Sequence, residues 1–144
     1  MSSGTSVRAG VKFGPTKKNG KWYLCVNKHR GSGCPKHKAQ WQIPHTLEYE
    51  IFDTSDEENW YDPNSGHYYG VHNYGETILG SKGERVCKFP CPRNPLDPWH
   101  GYPFKKPKKE SSKSWIPTNV LDNWLATGAI DTSFYHRILK GKIQ

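Results

Sequence analysis

The sequence lacks the features of a membrane or exported protein. No apolar run approaches the roughly 20 residues that a membrane-spanning helix needs, and residues 1–10 contain no stretch resembling a secretory signal. Only 33% of the 144 residues are hydrophobic, yet six Trp, eight Tyr and five Phe are present. These observations predict a cytoplasmic protein without membrane contact that folds as one domain around an aromatic core.

Charge of one sign is missing from two parts of the chain. Residues 1–40 hold nine Lys or Arg and no acid, whereas residues 41–64 hold seven acids and no Lys or Arg. Basic residues return from Lys105 onward, and the formal net charge is +8. Two basic stretches favour a polyanion such as nucleic acid, whose phosphates they would neutralise with release of counterions. The alternative is that the basic and acidic stretches neutralise each other.

The first part of the chain is predicted to be rich in β-structure. Residues 1–20 are mostly Gly, Ser, Lys and other polar residues, which predicts a flexible basic arm before a β-rich core at 21–104. At 46–52 apolar and acidic residues alternate, which predicts a strand with its carboxylates facing outward. Further extended segments are predicted at 21–26, 41–43, 60–61, 68–69, 77–79 and 85–89.

Turn-forming residues separate these short strands. Residues 62–66 (DPNSG), 73–75 and 80–83 (GSKG) each have turn chemistry between β-prone pairs. Hairpins at this spacing predict a small antiparallel meander or a partly open barrel. With helices further along the chain, the fold class is predicted to be α+β.

The last part of the chain has a helical period. Residues 105–114 (KKPKKESSKS) predict a basic linker, and residues 115–144 predict a helical hairpin. Pro117 suits the first turn of the first helix, and Gly128 suits its C-terminal cap. Asp131 or Thr132 is suited to cap the second helix.

The hairpin at residues 125–142 (LATGAIDTSFYHRILKGK) resembles the helix-turn-helix of bacterial repressor-type DNA-binding domains. The turn Gly128-Ala129-Ile130, the polar cap and the apolar spacing after it carry the resemblance. It implies that the second helix enters the major groove of DNA. The implied base contacts come from Thr132, Ser133, Tyr135 and His136, and the implied phosphate contacts from Arg137 and Lys140. The alternative is an amphipathic helical pair folded onto the β part.

Five prolines and two cysteines lie within residues 86–104. Each proline fixes its own φ and restricts the residue before it, so this segment is predicted to be rigid and irregular. It is either a brace pinned to the core by Phe89, Trp99 and Phe104, or a rigid site built around Trp99-His100-Gly101-Tyr102.

The four cysteines and a nearby histidine are candidates for a zinc site. Structural zinc takes four Cys or His ligands, usually from two short knuckles. Cys34 with His37, and Cys87 with Cys91, would supply them. The other interpretation is that the cysteines are separate buried or reduced thiols. Zinc is therefore one candidate cofactor, and the sequence makes none certain.

Histidines in the β part are candidates for catalysis. A metal-independent ribonuclease, as in small basic toxins, needs a base, an acid and a cation on the phosphorane. The candidate catalytic residues are His67, His72, Arg85 and His100.

Three motifs combine basic or histidine side chains with aromatic rings. They are Lys21-Trp22-Tyr23, His67-Tyr68-Tyr69 and Trp99-His100-Gly101-Tyr102, and they would suit stacking on unpaired bases. The alternative for each is sheet core, since strand alternation buries one ring of each adjacent pair.

Three functions follow from these patterns. The first is a small nucleic-acid-binding protein, the second is a ribonuclease-like toxin, and the third is a zinc-braced module that binds a protein partner. The residues predicted to bind nucleic acid are Lys105, Lys106, Lys108, Lys109, Tyr135, His136, Arg137 and Lys140.

Overall fold

The computed structural model describes residues 10–26, 39–105 and 115–140. Predictions that fall on residues 1–9, 27–38, 106–114 and 141–144 lie outside this part of the chain. In the described ranges, none of the helices has the length and apolar character to cross a membrane. The elements are β1 Gly10–Phe13, β2 Tyr23–Val26, α1 His45–Glu57, β3 Tyr68–Val71, β4 Val86–Phe89, β5 Tyr102–Phe104, α2 Thr118–Thr127 and α3 Thr132–Leu139.

A three-stranded antiparallel sheet organises the fold. Strands β3, β4 and β5 pair in sequence order, with Tyr68 opposite Phe89 and Cys87 opposite Pro103. Strands β1 and β2 form a separate antiparallel hairpin. The predicted α+β class and antiparallel meander are confirmed, and the described strands form two small sheets rather than a closed barrel.

Both faces of the three-stranded sheet are buried. Because side chains alternate along a strand, Tyr69 and Val71 face the helices α2 and α3, whereas Tyr68 faces α1 and the β1–β2 hairpin. The first face packs against Val120, Leu121, Trp124, Ile130, Phe134 and Ile138. The second packs against Tyr23, Ile51 and Phe52. One sheet thus separates two aromatic cores.

Helix α2 ends, and helix α3 begins, at the residues that the sequence predicts. Gly128 adopts the left-handed conformation (φ 84°) at the end of α2, which a residue with a side chain adopts only at a cost. The Asp131 side chain accepts a hydrogen bond of 2.8 Å from Phe134 N and caps α3. The predicted helical hairpin is confirmed, and it is folded onto the β part.

The strand predicted at 46–52 is wrong, because this stretch lies within α1. Its inward stripe includes the polar residues Glu48, Ser55 and Asp56, all buried, so a search for apolar spacing does not detect the helix. Glu48 was predicted to face outward, yet it is only 1% exposed and accepts a hydrogen bond from the Tyr23 hydroxyl.

The predicted basic arm is corrected from Gly10 onward. Residues 10–13 form β1, and the loop that follows is bound to α1. Thr16 Oγ1 donates to Asp56 Oδ2 (2.7 Å), and Lys17 Nζ lies 3.7 Å from Asp53 Oδ2. These contacts order the polar loop because two α1 carboxylates accept its donors. Part of the basic stretch therefore neutralises part of the acidic stretch.

The predicted hairpins are partly present. Tyr61 pairs with Tyr68 across the turn at 62–66, as predicted. Residues 77–79 do not form a strand, and β4 pairs with β3 and β5 instead. A hydrogen-bonded turn remains of that hairpin, in which Leu79 N and Gly80 N donate to Glu84 O and Gly83 N donates to Gly80 O. Residues 41–43 form a single bridge, from Trp41 to Gly80.

We expect Asp56 to make folding sensitive to acid. Burial raises the pKa of Asp56, but hydrogen bonds from Asn19, Thr16 and Tyr68 outweigh this and hold it below its usual value. A lowered folded-state pKa stabilises the protein above the unfolded value of about 3.9, and this contribution is lost as the pH falls through the folded value. Asp56→Asn should lower stability by about 1–3 kcal/mol at neutral pH.

The measurement is the melting temperature of both proteins from pH 2 to pH 7. The difference in melting temperature between Asp56→Asn and the parent should be largest at neutral pH and should become smaller below pH 4. Glu76→Gln, at an exposed carboxylate outside this network, is the matched control. A gap that stays constant across this range would show that the Asp56 charge contributes nothing to stability.

Candidate functional site

The three basic or histidine-containing aromatic motifs meet at one end of the β1–β2 hairpin. Lys21 Nζ lies 5.3 Å from the centre of the Trp99 ring and 6.0 Å from that of Tyr68. The Trp99 backbone N–H donates to Trp22 O (2.8 Å), and Leu24 N donates to Trp99 O (2.8 Å). Residues far apart in sequence therefore place their rings around one lysine.

A second lysine and ring pair lies on the outward face of the same hairpin. Trp22 is 46% exposed, and Lys12 Nζ lies 5.2 Å from the centre of its ring. The next residue, Tyr23, is fully buried, as strand alternation predicts. In the His67-Tyr68-Tyr69 motif, both tyrosines are buried, because each face of the central sheet carries a core.

Positive charge is unopposed within the hairpin sequence. We call residues 10–26 together with Trp99 the basic hairpin; residues 10–26 contain four lysines and no acid. Lys17 and Lys18 point toward α1, where Lys18 Nζ donates to Glu57 O (3.2 Å). Lys12 and Lys21 contact aromatic rings instead, and cation–π contacts of this kind contribute about 0.5–1 kcal/mol each at exposed sites.

The proline-rich segment is anchored on both sides of this site. Phe89 is fully buried, and Trp41 Nε1 donates to Gly101 O (3.1 Å). A Cβ on Gly101 would lie 2.3 Å from Phe89 Cδ1, so only glycine fits there. The segment thus braces the core and also places the Trp99 ring beside Lys21.

The four predicted catalytic residues lie at two separate ends of the sheet. His67 and His72 flank β3, so their Cα atoms are roughly 16 Å apart at about 3.3 Å per residue. Arg85 precedes β4 at the His72 end, and His100 precedes β5 at the His67 end. The structure therefore does not bring all four together.

His67 is held in one tautomer by its neighbour. Its Nδ1 accepts a hydrogen bond of 3.0 Å from Cys91 N, so the proton of the neutral ring lies on Nε2. Burial lowers the pKa of His67, and Lys88 lowers it further, against an opposing effect of Asp62. The ring can donate a hydrogen bond from Nε2 to an oxygen, but it cannot take a proton there as a general base.

His72 and Arg85 are bound to their own surroundings. His72 Nδ1 lies 2.9 Å from Thr77 Oγ1. Arg85 Nη1 donates to Gly75 O (3.2 Å) and Glu76 O (2.8 Å), which fixes the tight turn at Asn73–Gly75. These contacts assign a structural use to two of the predicted catalytic residues.

The predicted zinc ligands are not assembled in the described part of the chain. Cys34 and His37 lie outside it. Cys87 is buried in the core facing α1, where burial raises the pKa of its thiol, and Cys91 is exposed beyond the end of β4. Among the described residues, no three His, Cys, Asp or Glu side chains are grouped to hold a metal.

The residues predicted to bind DNA through the helical pair are mostly exposed. His136 and Arg137 are exposed on α3, and Lys140, directly after its end, is exposed as well. Tyr135 is half-buried, and its hydroxyl donates to Asp122 Oδ1 of α2 (3.1 Å). Lys105 is exposed, and Lys106, Lys108 and Lys109 lie outside the described residues.

Sequence reasoning missed the pairing of Lys12 with Trp22. Lys12 was assigned to the flexible arm, so no partner for its charge was sought. The available signal was Val11-Lys12-Phe13, a short alternation opposite the strand that contains Tyr23. Comparison of the chain with protein-family models, curated proteins and solved structures finds no match.

We expect His67 to remain neutral to a lower pH than an ordinary histidine, with its proton on Nε2. Nitrogen-detected NMR of the imidazole during an acid titration measures both properties. Lys88→Met should raise the pKa of His67, because it removes a nearby positive charge, whereas Asp62→Asn should lower it. An Nδ1-protonated neutral ring, or shifts of the same sign in both variants, would contradict this assignment.

Proposed function

We propose that this protein binds single-stranded nucleic acid through the basic hairpin. The observation that carries the proposal is the pair of lysine and tryptophan contacts, Lys12 with Trp22 and Lys21 with Trp99. Proteins that bind unpaired strands combine aromatic rings, on which bases stack, with basic residues that follow the phosphates. In the basic hairpin, each of these two contacts brings a basic side chain beside an aromatic ring.

Exposure of Trp22 supports a ligand of this kind. Trp22 is 46% exposed, so part of its surface is available for contact with a base. Stacking of one base on an aromatic ring is worth about 1–3 kcal/mol. Lys12, whose ammonium lies beside the ring, would contact the phosphate of the same nucleotide.

The remaining functions have less support. A ribonuclease that uses His67 as its base is disfavoured by the tautomer that Cys91 imposes. A zinc-braced module stays a prediction, because half of its ligands lie outside the described residues. A cytoplasmic location is part of the proposal, and the free thiols of Cys87 and Cys91 are compatible with it.

We expect the chain to bind a fluorescent single-stranded oligonucleotide, measured by anisotropy over a range of salt concentrations. Trp22→Ala should weaken binding about 5- to 150-fold, since one stacking contact is lost. Ile78→Ala, another large exposed apolar side chain, is the control. Lys12→Ala and Lys21→Ala should each reduce the slope of log K against log salt by about 0.7.

Lys82→Ala provides the control for charge, because Lys82 is exposed on the turn beyond the other end of the sheet. Equal losses for Lys82→Ala and Lys12→Ala would mean that binding follows net charge and not the basic hairpin. If Trp22→Ala binds as tightly as the parent while the lysine variants change the salt slope as expected, the lysines contact phosphates but Trp22 does not stack on a base. No binding at low salt would refute the proposal.

A second candidate function is duplex DNA binding by α3. Asp131 caps this helix, and His136, Arg137 and Lys140 are exposed along it. We expect the double variant Arg137→Ala/Lys140→Ala to weaken binding to a labelled DNA duplex, because two phosphate contacts are lost, while single-strand binding is unchanged. Equal effects on both ligands, or none on the duplex, would contradict a role of α3 in the groove.

A further inference from the structure

A histidine and a lysine lie side by side on the face of the central sheet that packs against α2 and α3. Lys88 of β4 pairs with Tyr69 on one side and with Tyr102 on the other. His67 lies two residues before Tyr69, so the pleat places it on the same face, diagonally across from Lys88. The Cα atoms of diagonal neighbours are about 7–8 Å apart, within reach of long side chains. Side chains from two strands can therefore contact one ligand.

The ammonium group of Lys88 is half-buried beside aromatic rings. Its Nζ lies 5.0 Å from the centre of the Phe104 ring and 6.0 Å from that of Tyr69. Within residues 10–26, 39–105 and 115–140, it makes neither an ion pair nor a hydrogen bond. Burial lowers the pKa of Lys88, as expected where water is partly removed from a charged group. An anion bound beside the ammonium would compensate this loss of solvation.

His67 supplies a second donor whose orientation is fixed before any ligand binds. Cys91 N donates to its Nδ1 (3.0 Å), so Nε2 carries the proton, and His67 N donates to Ser65 Oγ (3.2 Å). A side chain that is already ordered loses little entropy on binding. Asp62 is the one carboxylate that acts on the pKa of His67, and its oxygens accept hydrogen bonds from Asn64 N (3.2 Å) and Ser65 Oγ (2.9 Å). These bonds within the turn partly compensate the charge that would oppose an anion.

We propose that His67 and Lys88 bind a phosphate group. A phosphate monoester has a charge of about −1.5 to −2 at neutral pH and three acceptor oxygens. One oxygen accepts from His67 Nε2, and another contacts the Lys88 ammonium. A carboxylate has one charge and two oxygens, so it satisfies the two donors less well.

The phosphate belongs either to a small ester or to the end of a bound strand. The basic hairpin reaches the same end of the sheet, because the Trp99 ring lies 5.2 Å from that of Tyr68, the residue after His67. A strand stacked on the hairpin can therefore end near His67. Both sources present the same chemical group to the two donors.

The first experiment adds methyl phosphate to the full chain at neutral pH and constant ionic strength, with NMR of the imidazole and lysine side-chain nitrogens. We expect saturable binding, with a Kd on the order of 1 mM, and a shift of the His67 Nε2 signal. Lys88→Met, which keeps the apolar contact with the rings, should weaken binding about tenfold, whereas Lys88→Arg should largely restore it. Lys82→Met, at an exposed lysine beyond the other end of the sheet, is the matched control.

His67→Asn separates binding from a structural role, because its amide oxygen can still accept from Cys91 N while the Nε2 donor is lost. We expect about threefold weaker binding with an unchanged melting temperature. An unshifted His67 signal, equal weakening by Lys82→Met and Lys88→Met, or unchanged affinity of His67→Asn would overturn the proposal. Acetate that binds as tightly as methyl phosphate would show a general anion site and overturn the phosphate assignment.

The second experiment identifies the source of the phosphate with fluorescent single strands that differ only in a 5′- or 3′-terminal phosphate. If the site holds a strand end, one phosphorylated strand should bind about tenfold more tightly than its unphosphorylated match. Lys88→Met should remove that difference, whereas Trp22→Ala should weaken both strands alike. Equal binding of all strands assigns the site to a small ester. If no strand binds, the nucleic-acid proposal fails, and methyl phosphate still decides this one.

Discussion

The close approach of α1 to the central sheet at Gly70 sets the arrangement of the rest of the molecule. A Cβ on Gly70 would lie 2.5 Å from Ile51 Cγ2 and 2.9 Å from Cys87 Sγ, so the helix lies directly on β3 and β4. Ser55 Oγ fixes the register by its contacts with Tyr69 O (3.0 Å) and Ile51 O (2.8 Å). Once α1 is placed, its carboxylates hold the loop of the basic hairpin, so the position of the candidate site depends on this helix.

The elements that could be predicted from the sequence are those whose signals are local. Gly128 and Asp131 mark the ends of α2 and α3 through their own backbone and side-chain chemistry, so the helical pair followed from a few residues. Helix α1 did not follow, because Glu48 and Asp56 lie on its buried side and accept hydrogen bonds from Tyr23 and Thr16. Partners so far away in sequence are not visible in a local pattern.

The candidate site also has one part that local sequence predicts and another that depends on distant partners. The motifs that contain Lys21 and Trp99 were recognisable, but their contact depends on hydrogen bonds between the Trp99 segment and β2, which no local rule gives. The histidines show the opposite case. His67 and His72 are close in sequence and both were candidates for catalysis, yet the strand between them holds them at its two ends.

The basic and acidic stretches, which are separate in the sequence, partly neutralise each other in the fold. The carboxylates of Asp53 and Asp56 contact donors of the basic hairpin, so their negative charge is partly compensated. Glu50 and Glu58 lie on another side of α1. Lys12 and Lys21 remain for a ligand. A polyanion bound to these lysines would bind more weakly as salt rises, so salt dependence alone does not distinguish the basic hairpin from other basic residues of the chain. Only substitutions that remove one lysine at a time assign the effect to the basic hairpin, since Lys12 and Lys21 each contact a different tryptophan ring.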